Sequence, residues 1–132
     1  MREGKLSFDH VHVISRYPDA SAKWFVEMLG GMVSACHEVR GAPQVFIDFG
    51  GSKVIVRGQR PGEAAKGKTG LEWGTDHFGF QVTGSLDFKA YCAELKGKGV
   101  KFTVEPTQFN PTTQIAFVEA PDGVVIELLQ RK

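Results

Sequence analysis

Apolar and polar positions fall into two matching series of short periodic segments. Phe8 to Ile14 alternates and is rich in β-branched residues, which predicts a strand. Pro18-Asp19 supplies a turn and an N-cap for a helix over Ala20 to Leu29, with Phe25, Met28 and Leu29 on its core-facing side. Gly30-Gly31 ends that helix, because glycine accepts the left-handed C-terminal conformation without a side-chain cost. Extended runs follow at Met32 to Val39, Gln44 to Phe49 and Lys53 to Arg57, with Gly41-Ala42-Pro43 and Gly50-Gly51 as the turns between them.

The same order then recurs. Asp76 to Val82 reads as a strand, and Ser85 caps a helix to about Lys96 whose Phe88, Cys92 and Leu95 share the buried face. Gly97 and Gly99 end it, and strands follow at Val100 to Glu105, Gln114 to Glu119 and Val124 to Leu129, the last after the turn Ala120-Pro121-Asp122-Gly123. A repeat in sequence accompanies the repeat in pattern. Phe8-Asp9-His10-Val11 returns as Thr75-Asp76-His77-Phe78, 67 positions on (10 to 77), and the same offset carries Glu27 to Glu94, Gly30 to Gly97 and Val33 to Val100. The prediction is an α+β fold of two tandem βαβββ modules, about 6–58 and 75–130, in one domain spanning 1–132. The Gly-, Lys- and Pro-rich stretch at about 59–74 reads as a linker.

Composition narrows the function classes. The 132 residues suit one domain with a real core, and 16 Lys+Arg against 15 Asp+Glu give a net charge of +1. That balance points to no nucleic acid and no membrane as partner. No run has the apolar length of a membrane span, and Met1 to Lys5 lacks a signal peptide's apolar stretch, so a cytoplasmic protein is expected. Cys36 and Cys92 make neither a disulfide framework nor a metal knuckle. Lys66-Gly67-Lys68 is not a phosphate loop, and no Gly-x-Ser-x-Gly elbow supports acyl-enzyme chemistry.

Strand alternation selects the candidate site. Phe8, His10, His12 and Ile14 point one way and Val11 and Val13 the other; by the repeat, His77, Gly79 and Gln81 occupy the matching face. In the last strand Val125, Glu127 and Leu129 alternate against Ile126 and Leu128, so a carboxylate stands among apolar residues and needs a cation or several donors. If the curved sheets of the two modules face one hollow, they enclose a metal-binding cavity on which His10, His77 and Glu127 converge, with open positions for water or substrate.

Asp9-His10-Val11, Asp76-His77-Phe78 and Pro121-Asp122-Gly123-Val124-Val125-Ile126-Glu127-Leu128 resemble the vicinal oxygen chelate superfamily of glyoxalase I, extradiol dioxygenases, fosfomycin-resistance transferases and bleomycin-binding proteins. The resemblance implies one divalent metal ion (Fe, Mn, Ni, Co or Zn) held by His10, His77 and Glu127. It also implies a small-molecule substrate that chelates through adjacent oxygens, and a homodimer, with the linker long enough to let halves pair between chains. Glyoxalase I-like members usually add a fourth ligand, Glu or Gln, on the last strand of the first half. The counterpart here lies in Val54-Ile55-Val56-Arg57, none of which binds a divalent metal; which of them aligns depends on where the gap falls, and alternation prefers Ile55. A three-ligand site is closer to the dioxygenases and fosfomycin-type transferases and speaks against lactoylglutathione lyase activity.

The expected function is therefore Lewis-acid chemistry of lyase, isomerase or transferase type. His12, about 7 Å along the strand from His10, or Glu127 would move the proton. Arg57, Trp73 and Gln81 are the candidate substrate contacts. An Fe(II) extradiol-type dioxygenase and a non-catalytic drug-binding protein are the alternatives. Cys92 reads as core, only one of the adjacent His37 and Glu38 can wall the cavity, and Trp24 suits a substrate pocket or an inter-subunit contact; none of these is taken as a site residue.

Overall fold

The computed structural model describes residues 6–67, 70–83 and 85–132. The opening segment 1–5, positions 68–69 of the expected linker (Lys68 of the Lys66-Gly67-Lys68 stretch among them) and Gly84 lie outside the described residues. The chain divides between Lys66 and Gly67 into two units.

The first unit runs β1 (His10–Ile14), α1 (Pro18–Leu29), β2 (Met32–Val39), β3 (Ala42–Phe49) and β4 (Ser52–Arg57). Its open sheet has the order β1-β4-β3-β2, with β1 and β4 parallel and the other pairs antiparallel. The second unit repeats this as β5 (Phe78–Gln81), α2 (Phe88–Gly97), β6 (Lys101–Asn110), β7 (Thr113–Glu119) and β8 (Val125–Arg131), in the order β5-β8-β7-β6. Both units have the predicted βαβββ order. Among the described residues no helix is long and apolar enough to cross a membrane.

The core of each unit lies between its helix and one sheet face. In the first, α1 packs on β3 and β4, burying Ala22 and Phe25 with Val13, Val45, Ile47, Val54 and Val56. Met28 and Leu29 are only half-buried, so the covered side of α1 is narrower than its apolar pattern predicts. In the second, Phe88, Cys92 and Leu95 of α2 are buried, as are Ala116, Val118, Ile126 and Leu128 of the sheet.

Several local boundaries differ from the sequence reading. Pro18 begins α1 itself, where its missing N–H costs nothing, so Asp19 stands in the first turn and does not cap. Gly30 closes the helix at φ 78° as predicted. The hairpin turn is Arg40-Gly41, both at positive φ, and Ala42-Pro43 belongs to β3. Pro43 is tolerated because the β3–β4 ladder begins only at Gln44; the Pro43 carbonyl still accepts from the Gly58 N–H at 3.0 Å. Asp87, not Ser85, caps α2: its Oδ2 accepts from the Ala90 N–H at 2.9 Å. Strand β6 continues through Pro106 because it is an edge strand, where register shifts between Val104 and Thr107 accommodate the proline.

Burial raises the Cys92 thiol to about 11, whereas Cys36 is exposed on β2. Iodoacetamide at pH 8 should therefore alkylate Cys36 and spare Cys92 in the folded protein, with both modified after denaturation. Peptide mass spectrometry reads this directly, and labelling of native Cys92 would contradict the packing of α2.

Candidate functional site

In the second unit the parallel pairing of β5 with β8 places Gly79 opposite Glu127. A Cβ at position 79 would lie 3.2 Å from the Glu127 carbonyl oxygen and 3.4 Å from its Cβ. The missing side chain leaves Glu127 room to reach His77, one residue before β5. Its Oε1 is 3.2 Å from His77 Nε2, while His77 Nδ1 donates to Asp76 Oδ2 at 2.7 Å. The Phe117 ring of β7, opposite Glu127, packs edge-on to the imidazole with centroids 4.9 Å apart. With side chains 29% and 23% exposed, His77 and Glu127 are packed yet open to a ligand. The Asp76 hydrogen bond, then Glu127, hold protonated His77 above the usual histidine range, while burial acts against them.

The first unit repeats half of this arrangement. His10 Nδ1 bonds Asp9 Oδ2 at 2.7 Å, the same bond as in the second unit. The register pairs His12 with Ile55 where the second unit pairs Gly79 with Glu127, so Ile55 occupies the position equivalent to the carboxylate. His12 lies edge-on to His10, ring centroids 5.0 Å apart. Burial first, then the charges of His10, Arg57 and Arg60, push its pKa below the ordinary histidine value.

The other candidates are distributed unevenly. Arg57 is buried and engaged, its Nη1 donating to Glu63 Oε1 at 2.6 Å and its Nη2 to Glu63 Oε2 at 3.2 Å. Gln81 is exposed and its Oε1 accepts from Arg131 Nη1 at 3.3 Å. Trp73 is fully exposed. Sequence reasoning missed Arg60, Glu63 and Phe117. For Phe117 a signal existed, since alternation in β7 puts it on the Glu127 face.

The donor chemistry fits a metal. Each Asp–His bond makes Nδ1 the protonated nitrogen and leaves Nε2 as the nitrogen that could ligate, the carboxylate–histidine arrangement common behind bound metals. In the second unit that nitrogen faces a carboxylate, a pairing that requires a proton or a cation between them. Among the described residues no three His, Cys, Asp or Glu side chains form one metal-holding group; the expected ligands stand as a His77–Glu127 pair in one unit and His10 in the other.

The sequence profile of the Glyoxalase/Bleomycin resistance protein/Dioxygenase superfamily matches residues 7–128. The chain belongs to this superfamily. Among curated superfamily relatives, a probable lactoylglutathione lyase of Synechocystis sp. is 43% identical over 65 residues, covering 44% of this chain and 50% of that protein. A protein of the same name from Vibrio parahaemolyticus is 43% identical over 67 residues, 50% of this chain and 48% of the relative. The matches thus span about half the length of these curated relatives. Among solved structures, a superfamily domain from Frankia sp. superposes with a TM-score of 0.80 at 20% identity, covering 98% of this chain and 100% of that one. A glyoxalase I variant from Zea mays gives 0.76 at 27% identity, covering 94% of this chain and 44% of the maize chain.

Proposed function

We propose that this superfamily member is a divalent-metal-dependent enzyme of lyase, isomerase or transferase type, with His10, His77 and Glu127 as its metal ligands. The observation that carries this reading is the repeated Asp–His bond at 2.7 Å, which presents Nε2 in both units and faces it with Glu127 in one. The lactoylglutathione lyase relatives support a lyase in particular. When bound, Fe, Mn, Ni, Co or Zn would supply Lewis acidity toward a carbonyl, enolate or phosphonate oxygen of a small chelating metabolite.

The chain's own residues do the remainder. Asp9 and Asp76 hold the two imidazoles in one tautomer and orientation. His12, kept neutral by burial and nearby cations, accepts the substrate proton on a ring nitrogen. Arg57, Gln81 and Trp73 complete the substrate contacts, and the enzyme works as a cytoplasmic homodimer. Ile55, which leaves the site one carboxylate short, favours a second reading: an Fe(II) extradiol-type dioxygenase.

Elemental mass spectrometry on untagged protein tests the site. The expected result is about one transition metal per chain, lost in His77→Ala. Asp76→Asn should retain the fold and weaken metal affinity about 10- to 100-fold. Iron together with oxygen uptake would select the dioxygenase reading. Absence of metal after reconstitution would overturn both and leave a small-molecule-binding protein.

A further inference from the structure

The face of β1 and β4 that carries His10 and His12 also carries a fork of cationic donors. Arg57 pairs in register with Ile14, and residues opposite one another in a sheet leave it on the same side. Arg57 is 9% exposed, and a guanidinium so enclosed requires an anion. The chain supplies its own: Glu63 takes both terminal nitrogens of Arg57, and the main-chain N–H of Arg60 donates to the same Glu63 Oε1 at 2.8 Å. Three convergent donors around one carboxylate are the arrangement by which proteins recognise carboxylate and phosphate groups.

The anion supplied does not satisfy the donors present. Two guanidiniums, those of Arg57 and Arg60, act on one carboxylate. Among the described residues Arg60 Nε is buried without a hydrogen-bond partner, a state that costs free energy until a polar partner reaches it. Glu63, by contrast, keeps its side chain 37% exposed, so water reaches it and exchange is open.

The path of the surrounding segment does not depend on this ion pair. The Gly58 N–H donates to the Pro43 carbonyl at 3.0 Å, and a Cβ at position 58 would lie 3.2 Å from both Pro18 and Pro43. Pro61 lies against Gly41, where a Cβ would come within 3.0 Å of its Cδ. The Ala65 N–H donates to Gln59 Oε1 at 2.7 Å. Glu63 can therefore swing away while the donors stay in place.

We propose that Arg57 and Arg60 form an anion subsite for the carboxylate or phosphate group of the substrate, and that Glu63 fills it as a placeholder when no ligand is bound. Calling that anion a substrate group rests on the enzymatic reading above; the subsite itself lies within one unit and contains none of the proposed metal ligands.

The test is titration of the full-length protein, carrying its metal, with inorganic phosphate and separately with succinate. Nitrogen–proton NMR follows the Arg Nε–H groups and the main-chain signals of Arg60 and Glu63. Wild-type protein should bind weakly, because Glu63 competes. If Glu63 holds the subsite nine-tenths of the time, Glu63→Ala should tighten binding about tenfold. Adding Arg60→Gln, at a half-buried position the fold tolerates better than Arg57, should remove the gain. The anion that gains more from Glu63→Ala identifies the group recognised. His77→Ala should lose metal and keep the anion response, so the two readings fail separately. A Glu63→Ala protein of lower melting temperature and unchanged affinity for both anions would make the ion pair a structural clasp and overturn the proposal. Loss of the anion response together with the metal in His77→Ala would overturn it as well.

Discussion

Phe88→Ala should destabilise the protein by about 3–5 kcal/mol, read as a fall in the urea midpoint. Phe88 has 0% exposure, stands at the first position of α2 directly after the Asp87 cap, and shares the buried face with Cys92 and Leu95. Truncation there removes the transfer free energy of an aromatic ring and leaves a cavity that a helix anchored by its cap closes only partly. The same substitution at Phe8, 71% exposed, should stay within about 0.5 kcal/mol. A loss at Phe88 below about 1.5 kcal/mol would mean that α2 is not tightly seated on its sheet.

Ile55→Glu should produce a comparable loss in metal-free protein, which divalent metal partly restores. Ile55 is 4% exposed and its register with His12 matches that of Glu127 with Gly79. In metal-free protein the exchange forfeits about 1.5–3 kcal/mol of side-chain burial and adds a carboxyl in an enclosed position. A metal bound through that carboxylate and His10 would return about 2.7 kcal/mol when supplied at a hundredfold excess over its dissociation constant. Thermal melts of Ile55→Glu and wild type, each with and without divalent metal, compare the increments. The variant should gain more from metal than wild type does. Equal gains would show that position 55 does not reach the ligand set, His12 filling the space that Gly79 leaves open in the other unit.

What was legible in the sequence follows from what is local. Alternation in β1 and β8 sorted His10, His12 and Glu127 from Val13, Ile126 and Leu128, because side-chain direction in a strand depends only on position parity. Gly30 was readable as a helix stop for the same reason: its positive φ is a property of one residue. Where tertiary context decides, local pattern misleads. Pro43 and Pro106 look like strand breakers until it is known that one lies beyond the end of a ladder and the other on an edge strand. Ser85 and Asp87 are both capable caps, and choosing between them required knowing that Phe88 is the first residue to be buried. The stretch from 58 to 66 has no periodicity to read. Its order comes from Pro61 on Gly41, the Gly58 N–H on the Pro43 carbonyl and the Ala65 N–H on Gln59, contacts between residues whose types alone suggest a solvated tether.

The parallel pairing of first with last strand has a consequence for how the protein comes into being. His77 and Glu127 are 50 residues apart in sequence, yet only the docking of β8 beside β5 brings them into contact. Closing a loop of that length is entropically costly and is rewarded only at the end, so the pair belongs to the late events of folding. On a ribosome, β1 finds β4 while the second unit is still being made, whereas β5 must wait for β8 to emerge. The carboxylate that completes the His77 pair thus arrives with the last strand, and a chain cut short before β8 keeps the histidine and lacks its partner.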